Sequence, residues 1–548
     1  MSFLSYFSRK FYLSSTTLIA LVALYFTVIL NYPFYRTVLK LYSFTGSSSD
    51  YFLFTVPFFV FFTLNAAFQI IALPILHKVL IPLLLVISSA ISYQEIFFGI
   101  YFDGDQLNNV LQTSVAESSR LITLPYLLWI FFLGIIPAFF YLRTTVNYRC
   151  CCWYKEILTR LGMIILSAII IAGIGKFFYK EYATFSRNNK EIVNLILPSN
   201  VIGAGIKIAK RSYQMNLPFT DIGLDTSLVK PDAYRHVTIL VVGETTRAQN
   251  WGLNGYNRQT TPQLASRNDV INFKNVSSCG TATAISVPCM FSQYTRESYN
   301  ATKAAHEDNL LDILQRAGID VLWRDNDTGC KGVCDRVSTQ DMTALNLSEY
   351  CHNGECLDEI LLKDLEVELH KSDKDIVVVL HTIGSHGPTY NERYSKKFEK
   401  FTPTCDTNEI QGCTNEQLVN TYDNSILYID NFLNNVINIL DKEPKWESTM
   451  FYVSDHGESL GEDGIYLHAA PYVIAPKYQT SVPMVMWFSP LWAKNEGFDL
   501  NCLRKNAETQ AYSHDNYFHT VFSMMDTKND VSVYDKKLDI LAQCKINK

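Results

Sequence analysis

The sequence has no excess of positive charge. Its 47 lysine and arginine residues are outnumbered by 53 aspartate and glutamate residues, and the formal net charge is -6. Because a protein that binds nucleic acid normally presents a basic face, this balance argues against nucleic acid as a partner. The 548 residues also contain no internal repeat and no low-complexity tract, which excludes a repeat architecture.

A cleavage site is missing after the first apolar run, residues 17–30. The run follows Arg9 and Lys10, as in a signal peptide, but it continues into Asn-Tyr-Pro-Phe-Tyr-Arg without a small-x-small motif. We therefore interpret it as an uncleaved first helix. Further apolar stretches, each near the roughly 20 residues that a bilayer requires, follow at residues 51–73, 79–101, 121–142 and 157–179. The pattern predicts a membrane domain of five transmembrane helices over residues 1–179.

The short loops between these stretches differ in charge. With five spans, one side of the membrane receives Arg9, Lys10, Lys78, Arg143, Arg149 and Lys155. Arg36, Lys40 and Arg120 fall on the other side and weaken the contrast. Because loops rich in Lys and Arg stay in the cytoplasm, the N-terminus is expected inside and everything after residue 179 outside. Residues 180–234 then form a connector, which either lies on the membrane surface or packs as a plain linker on the following domain.

Ten of the thirteen cysteines follow the last apolar stretch, whereas Cys150 to Cys152 lie in a loop assigned to the cytoplasm. An even set on the outer side predicts disulfides in an oxidising compartment; the alternative is a zinc ribbon or free buried thiols. Sequence alone does not determine the connectivity, but pairing neighbours closes the shortest loops. The expected pairs are Cys279–Cys289, Cys330–Cys334, Cys351–Cys356, Cys405–Cys413 and Cys502–Cys544.

Residues 235–548 have the pattern of an α/β domain. Short apolar runs alternate with longer helical stretches such as residues 309–317 and 417–440. Continuous apolar strands of this kind indicate a mostly parallel sheet that is covered on both faces. The predicted strands are residues 236–242, 320–323, 375–380, 450–453 and 483–487.

Metal-ligand residues follow three of these predicted strands. Glu244 follows the first, His381 and His386 follow the third, and Asp455-His456-Gly457 follows the fourth. A lone Glu is more often a capping residue and a lone His is more often structural. In an open α/β sheet, however, ligands bind beyond the carboxyl ends of the strands, and this joint placement suits Zn2+.

A candidate nucleophile lies in the stretch Ser-Ser-Cys-Gly-Thr-Ala-Thr-Ala, residues 277–284. Thr283 stands on a turn between Cys279 and Cys289. As a fourth zinc ligand, its hydroxyl would have a lowered pKa and become a nucleophile near neutral pH.

Five motifs together resemble the lipid A phosphoethanolamine transferases, which include the mobile colistin-resistance enzymes and belong to the alkaline phosphatase/sulfatase superfamily. They are Val-Val-Gly-Glu-Thr-Thr-Arg-Ala (241–248), Asn-Gly-Tyr-Asn-Arg (254–258), Ser-Ser-Cys-Gly-Thr-Ala-Thr-Ala (277–284), His-Thr-Ile-Gly-Ser-His-Gly-Pro (381–388) and Ser-Asp-His-Gly-Glu-Ser-Leu-Gly-Glu (454–462). The resemblance implies a sulfatase-like catalytic domain in the periplasm on a bacterial inner-membrane anchor. It also implies transfer of phosphoethanolamine from phosphatidylethanolamine to a lipid A phosphate, with a contribution to polymyxin resistance. We expect a monomer.

The same resemblance implies roles for individual residues. Its zinc ligands match Glu244, Thr283, Asp455 and His456, with Thr283 also the nucleophile that forms a phosphothreonine. One zinc ion is expected, and a second would involve the positions that handle the phosphoethanolamine group: Lys331, His386 and His468. Asp327 stands where some relatives have an Asn, and it is left out of the predicted site.

A polar stripe between the third and fourth spans completes the predicted site. Asn109, Thr113 and Glu117 project from one face if residues 103–117 are helical. A solvated surface would explain such a stripe, but the resemblance implies that these positions bind the lipid substrate.

The same fold supports other activities, and the sequence bears on two of them. Ser286-Val-Pro-Cys-Met290 approaches the sulfatase motif, but Met290 stands in place of the arginine, which disfavours a sulfatase. A phosphoglycerol transferase is the main alternative, because no motif identifies the donor head group. A non-catalytic, disulfide-linked binding module would require the metal-type residues at the strand ends to be incidental.

Overall fold

The computed structural model describes residues 12–42, 44, 50–113, 115–146, 153–214, 217–229, 234–528 and 531–546. Arg9, Lys10 and Cys150 to Cys152 lie outside these ranges. The chain forms two compact units. The first comprises the chain up to Leu107 together with Ile122–Lys207, and the second comprises Asn108–Leu121 and everything from Ile208 onward.

The first unit consists of apolar helices. Four of the described helices are long and apolar enough to cross a membrane: Tyr51–Ile71, Leu76–Phe97, Leu124–Arg143 and Tyr154–Arg187. A fifth candidate is the pair Ser15–Leu30 and Tyr32–Leu41, which is bent by 51°. The predicted N-terminal region of apolar helices is confirmed; where the sequence predicts five spans, the described helices supply four, or five if the bent pair is one span. Short π-helical segments occur at Phe26–Leu30 and Phe131–Ile135.

The bend in the first pair lies at a buried polar residue. The Asn31 amide nitrogen donates to the carbonyl oxygens of Phe26 (3.0 Å) and Leu197 (2.9 Å), and its amide oxygen accepts from Leu197 N–H (2.8 Å). Pro33 then stands in the first turn of the second helix, where its missing N–H costs nothing. The first apolar run therefore ends at a side chain that satisfies the backbone of a distant segment.

The last apolar helix is longer than the predicted span 157–179. It runs over Trp153–Asn188, but its backbone leaves helical geometry at Phe178 (φ -121°, ψ 28°), one residue before the predicted end. A 3-10 helix, Lys190–Leu195, and an α-helix, Ser199–Gln214, follow. Two short helices, Gly104–Gln112 and Val115–Leu121, precede the Leu124–Arg143 span.

The second unit is built around a seven-stranded sheet. Its strands, in chain order, are β1 (His236–Gly243), β2 (Val270–Phe273), β3 (Asp320–Asp325), β4 (Ser338–Asp341), β5 (Ile376–His381), β6 (Glu447–Ser454) and β7 (Met484–Phe488). They are arranged in the order β2-β7-β6-β1-β5-β3-β4. The strands β6, β1, β5, β3 and β4 are parallel, whereas β7 is antiparallel to both of its neighbours. The predicted mostly parallel sheet is confirmed.

Helices cover the sheet and account for the continuous apolar strands. Every residue of β1, β5 and β6 is buried, so neither face of these strands meets solvent. The longest helix of this unit, Asn415–Asp441, begins at a capping box formed by Thr414 and Gln417. After residue 235, the other α-helices are Pro262–Ala265, Thr283–Met290, Ala301–Ala304, Leu310–Arg316, Leu365–Leu369, Lys477–Thr480, Pro490–Glu496, Leu500–Thr509 and Tyr517–Met524.

Short strand pairs and five disulfides hold the loops of this unit. The pairs outside the central sheet that lie in this unit are Cys351–His352 with Glu355–Cys356, Ser459–Leu460 with Tyr466–Leu467, and Val276–Ser277 with Tyr512–Ser513. The disulfides join the predicted partners: Cys279–Cys289, Cys330–Cys334, Cys351–Cys356, Cys405–Cys413 and Cys502–Cys544. The predicted connectivity is therefore confirmed.

Candidate metal centre and active site

The site is located at the carboxyl edge of the sheet. The strand β1 lies between β5 and β6 and is parallel to both. Val242 pairs with His381 of β5 and with Val453 of β6, so the three strands end at the same level. The residues that follow β1 and β6 therefore meet at one edge, as the sequence predicts.

The four predicted zinc ligands lie together. The Thr283 hydroxyl donates to Glu244 Oε2 at 3.0 Å and lies 3.5 Å from His456 Nε2. His456 Nε2 is in turn 3.3 Å from Glu244 Oε1 and 3.3 Å from Asp455 Oδ2. Glu244, Asp455 and His456 are fully buried, and Thr283 is only 6% exposed.

Local structure holds Thr283 in place. It is the first residue of the helix Thr283–Met290, and the Cys279–Cys289 disulfide ties that helix to the preceding turn. Within the turn, Gly280 N–H donates to Ser286 Oγ at 3.0 Å. The free N–H groups at a helix N-terminus also favour an anion such as phosphate beside this hydroxyl.

The donor atoms fit a divalent cation. His456 Nδ1 lies 3.0 Å from the Gly457 carbonyl oxygen, which can only accept, so Nδ1 carries a proton and Nε2 is the ring nitrogen that faces the carboxylates. Asp455 Oδ2 is buried and has no hydrogen-bond partner among the described residues. A buried carboxylate oxygen without a donor is costly unless a cation binds it. Ligand atoms of Glu244, Asp455 and His456 all lie within 4.8 Å of one another.

The protonation of this cluster reflects its two buried carboxylates. Burial and the neighbouring Glu244 charge raise the pKa of Asp455 well above its usual value. Burial opposes the Glu244 charge, but His456 holds the pKa of Glu244 well below its usual value. Burial likewise opposes a charge on His456, yet the two carboxylates raise its pKa to about 10. The cluster therefore holds protons where a doubly charged cation would balance the same negative charge.

Two glycines allow the loops to approach each other closely. A Cβ on Gly384, whose φ is +53°, would lie 2.3 Å from the Glu244 carbonyl oxygen. A Cβ on Gly457 would lie 2.0 Å from the Tyr478 carbonyl oxygen. The glycines of both motifs are thus required by contact between backbones.

A buried carboxylate that sequence reasoning missed positions the loop after β5. Asp358 accepts from Ile383 N–H at 2.8 Å and from Gly384 N–H at 3.0 Å. Burial raises its pKa to about 6. Asp358 lies in a 3-10 helix far from any of the motifs, so no sequence signal marks it.

The predicted histidines His386 and His468 adjoin the cluster. Their ring centroids are 5.2 Å apart, and the His468 ring is 4.4 Å from that of His456. Burial and the nearby His456 lower the pKa of His468 well below its usual value, so this imidazole is neutral. Glu458, also fully buried, lies 3.4 Å from His468 Nδ1 and was not predicted as a site residue.

Lys331 lies near the helix that carries the nucleophile. Its backbone is in the left-handed region (φ +53°) inside the Cys330–Cys334 loop, and its ammonium donates to the Thr328 carbonyl oxygen at 3.0 Å. Lys331, Ala284 and Pro288 line a cavity of about 640 Å³ in the second unit. Lys331 therefore borders the same cavity as Ala284, the residue that follows Thr283.

The predicted polar stripe is arranged differently from a single helical face. The helices Gly104–Gln112 and Val115–Leu121 are interrupted at Thr113, so the assumption of one continuous helix is wrong. The Thr113 hydroxyl donates to the Asn109 carbonyl oxygen at 2.7 Å. Asn108 and Gln112, rather than Asn109 and Thr113, line the cavity beside Lys331.

The described part of the second helix is anchored by a basic residue. The Glu117 side chain lies outside the described residues. Arg120, three positions later, pairs with Glu355 at 3.2 Å and with Glu392 at 2.5 Å. In the sequence Arg120 is only a loop charge, because nothing in the pattern shows which acids it meets.

The sulfatase family model matches residues 236–527. The parallel sheet and the Thr-Glu-Asp-His cluster at its carboxyl edge place the chain in the alkaline phosphatase/sulfatase superfamily.

More specific matches cover nearly the whole chain. The phosphoethanolamine transferase EptA/EptB model matches residues 60–213. Phosphoethanolamine transferase EptA of Escherichia coli (strain K12) is 44% identical over 538 residues, 96% of each chain. Phosphatidylethanolamine transferase Mcr-1 of Escherichia coli is 36% identical over 494 residues, covering 86% of this chain and 90% of the relative.

A solved structure extends the agreement to the fold. The integral membrane lipooligosaccharide phosphoethanolamine transferase A of Neisseria meningitidis matches with a TM-score of 0.95 and 55% identity. The match covers 98% of this chain and 100% of that one. The chain belongs to the phosphoethanolamine transferase family.

Proposed function

We propose that this protein transfers phosphoethanolamine from phosphatidylethanolamine to a phosphate group of lipid A through a phosphothreonine at Thr283. The observation that carries the proposal is the buried Thr283 hydroxyl, which donates to Glu244 within a cluster of metal-type ligands. The relatives named as phosphoethanolamine or phosphatidylethanolamine transferases support the transferred group and the donor. Two more distant relatives, 28% and 27% identical, are named Kdo(2)-lipid A phosphoethanolamine transferases.

We assign Zn2+ to the cluster of Glu244, Thr283, Asp455 and His456. When bound, zinc lowers the pKa of a hydroxyl and offsets negative charge on a phosphoryl group. The orientation of His456, whose Nε2 faces Glu244 and Asp455, and the Asp455 Oδ2 without a hydrogen-bond partner in the described part of the chain support this assignment.

The proposed reaction consists of two successive displacements at the same phosphorus. The Thr283 oxygen forms a bond to the donor phosphorus, the bond from phosphorus to the diacylglycerol oxygen breaks, and the Thr283 proton passes to the departing alcohol. The oxygen of a lipid A phosphate hydroxyl then attacks the same phosphorus, the bond from phosphorus to the Thr283 oxygen breaks, and the proton of that phosphate passes to Thr283. Glu244, which already accepts from the hydroxyl at 3.0 Å, holds it in orientation for both steps.

Three further residues would handle the transferred group. Lys331 would offset phosphoryl charge, because phosphoryl transfer depends mainly on positioning and electrostatic stabilisation. His468, a neutral imidazole beside His456, can accept or donate the proton exchanged with the leaving alcohol. His386 adjoins His468 and would contact the ethanolamine phosphate. Asn109, Thr113 and Glu117 remain predicted contacts to the lipid.

The same proposal includes a location. Residues 1–179 would anchor the protein in the bacterial inner membrane, residues 180–234 would connect, and residues 235–548 would act in the periplasm as a monomer. Five disulfides in the second unit support an oxidising compartment, and the basic loops support a cytoplasmic N-terminus. Modified lipid A would carry less net negative charge, which would contribute to polymyxin resistance.

Mass spectrometry of lipid A from cells with and without the protein tests the function. We expect a mass gain of one phosphoethanolamine group with the wild type and with Thr283→Ser, which keeps the hydroxyl, but not with Thr283→Ala. A gain of phosphoglycerol instead would establish the alternative donor. Unchanged lipid A with a well-expressed wild type, or full modification by Thr283→Ala, would refute the proposal.

A further inference from the structure

We propose a second divalent-cation site formed by Glu244, Asp327 and His381, with Glu244 shared between the two sites. It extends the metal centre of the proposed function but uses none of the residues that the resemblance offers for a second zinc ion. The ligand atoms of the three side chains lie within 4.8 Å of one another. His381 and Glu244 are fully buried, and the Asp327 side chain is only 5% exposed.

The orientation of His381 is the main evidence. Its Nδ1 lies 3.0 Å from Asp325 Oδ2, and a carboxylate beside an imidazole accepts, so Nδ1 carries the proton. The other nitrogen, Nε2, has no hydrogen-bond partner among the described residues. Asp327 Oδ2 lies 3.8 Å from it, beyond hydrogen-bond distance. A buried ring nitrogen without a hydrogen-bond partner in the described ranges thus faces two carboxylates.

Asp325 holds this orientation as a positioning residue. The same carboxylate accepts from Trp323 Nε1 at 2.7 Å, Asp327 N–H at 2.9 Å and Gly329 N–H at 3.1 Å. These donors fix the carboxylate, and the carboxylate fixes the tautomer and the plane of the His381 ring. A carboxylate that binds the outer nitrogen of an imidazole is the usual support of a histidine that ligates a metal.

The number of carboxylates around His381 also favours a bound cation. Asp325, Asp327 and Glu244 converge on one imidazole, and Asp327 Oδ2 accepts from the Thr328 hydroxyl at 3.1 Å. A single divalent cation at Glu244, Asp455 and His456 offsets the charges of Glu244 and Asp455. It leaves the charges of Asp325 and Asp327 without a cation. A second cation would compensate the remaining carboxylates, which are costly to bury unpaired.

The donor set defines the class of ion. One imidazole and two carboxylates, without a thiolate, suit a borderline divalent cation, Zn2+ or Mn2+. Bond lengths of about 2.0–2.2 Å place ligands of one ion about 3–4 Å apart, so small side-chain shifts suffice here. Two cations that share a carboxylate are a recurring arrangement for phosphoryl transfer.

Metal counting on the full-length protein tests the site. The detergent-purified protein is stripped with a chelator, equilibrated with Zn2+ alone and analysed by plasma mass spectrometry. We expect two ions per wild-type chain and one in Asp327→Asn and in His381→Gln. Asp335→Asn, which removes an exposed acid from the neighbouring loop, and His386→Ala/His468→Ala should each retain two.

Zinc-edge anomalous diffraction from wild-type crystals gives a second readout that needs no variant. A peak between Glu244, Asp327 and His381 is expected beside the peak at Asp455 and His456. A repeat with Mn2+ that fills only the second position would support the site and identify its ion. One ion per wild-type chain, two ions in Asp327→Asn, or loss of the second ion in His386→Ala/His468→Ala would overturn the proposal. No lipid is present, so this result and the transfer assay can fail independently.

Discussion

Two disulfides, Cys279–Cys289 beside the nucleophile and Cys502–Cys544, should rank differently in their effects. Removing one should cost more stability, and removing the other should cost more activity. Cys279–Cys289 closes a loop with a sequence separation of 10, whereas Cys502–Cys544 closes one of 42. In the chain-entropy model these separations correspond to about 2.7 and about 4 kcal/mol of stability at 25 °C. The variant Cys502→Ser/Cys544→Ser should therefore lose more stability than Cys279→Ser/Cys289→Ser.

Activity should fall more in Cys279→Ser/Cys289→Ser than in Cys502→Ser/Cys544→Ser. The Cys279–Cys289 bridge spans the turn and helix that place the Thr283 hydroxyl 3.0 Å from Glu244. Hydrogen bonds from Gly280 to Ser286 Oγ and from Cys279 N–H to His514 Nδ1 remain in the variant, so the domain should still fold. A displacement of about 1 Å at a reacting group costs on the order of 10²-fold in rate, and we expect a loss of that order.

The assay compares both variants with the wild type under identical conditions. Denaturant unfolding of the full-length protein in detergent measures stability, and mass spectrometry of lipid A in mixed micelles measures the transfer rate well below both unfolding midpoints. Full transfer by Cys279→Ser/Cys289→Ser would refute the idea that this disulfide positions the nucleophile. The same conclusion would follow if both variants lost activity in proportion to their stability.

Three other predictions follow from the site. Asp455→Asn should lower zinc affinity by at least tenfold together with activity, whereas Lys331→Ala should lower activity with metal content unchanged; plasma mass spectrometry beside the transfer assay separates the two. Gly384→Ala should destabilise the protein by more than about 1 kcal/mol, because its Cβ would meet the Glu244 carbonyl oxygen, and a wild-type unfolding midpoint would contradict this. Glu117→Ala should lower lipid A modification in cells. Modification at the wild-type level would show that Glu117 does not contact the lipid substrate.

Much of the site follows from local sequence and one rule of sheet geometry. Apolar runs end directly before Glu244 and the Asp455-His456 pair, and parallel strands bring their carboxyl ends to one edge. Thr283 could be found because two cysteines and small hydroxyl residues mark a constrained turn. The disulfide pairs were predictable because neighbouring cysteines close the shortest loops. These features depend on residues that are close in the chain, or on a geometry shared by all sheets of this type.

Other features depended on which elements pack together. Runs of apolar residues do not encode strand direction, so the antiparallel pairing of β7 appears only in the sheet. Helical periodicity likewise did not reveal the interruption at Thr113 or the bend at Asn31, which is set by hydrogen bonds to the distant Leu197.

The contacts around His381 were decided by strand order. Asp325 and Asp327 meet His381 because β3 is the neighbour of β5, and Asp325 pairs in register with His381. The 55 residues between His381 and the end of β3 give no local sign of this contact, so the sequence does not predict it and Asp327 stays outside the predicted site. Buried carboxylates such as Asp358 and Glu458 were missed for the same reason. Their partners are backbone amides and imidazoles supplied by other segments, and only the tertiary structure brings these together.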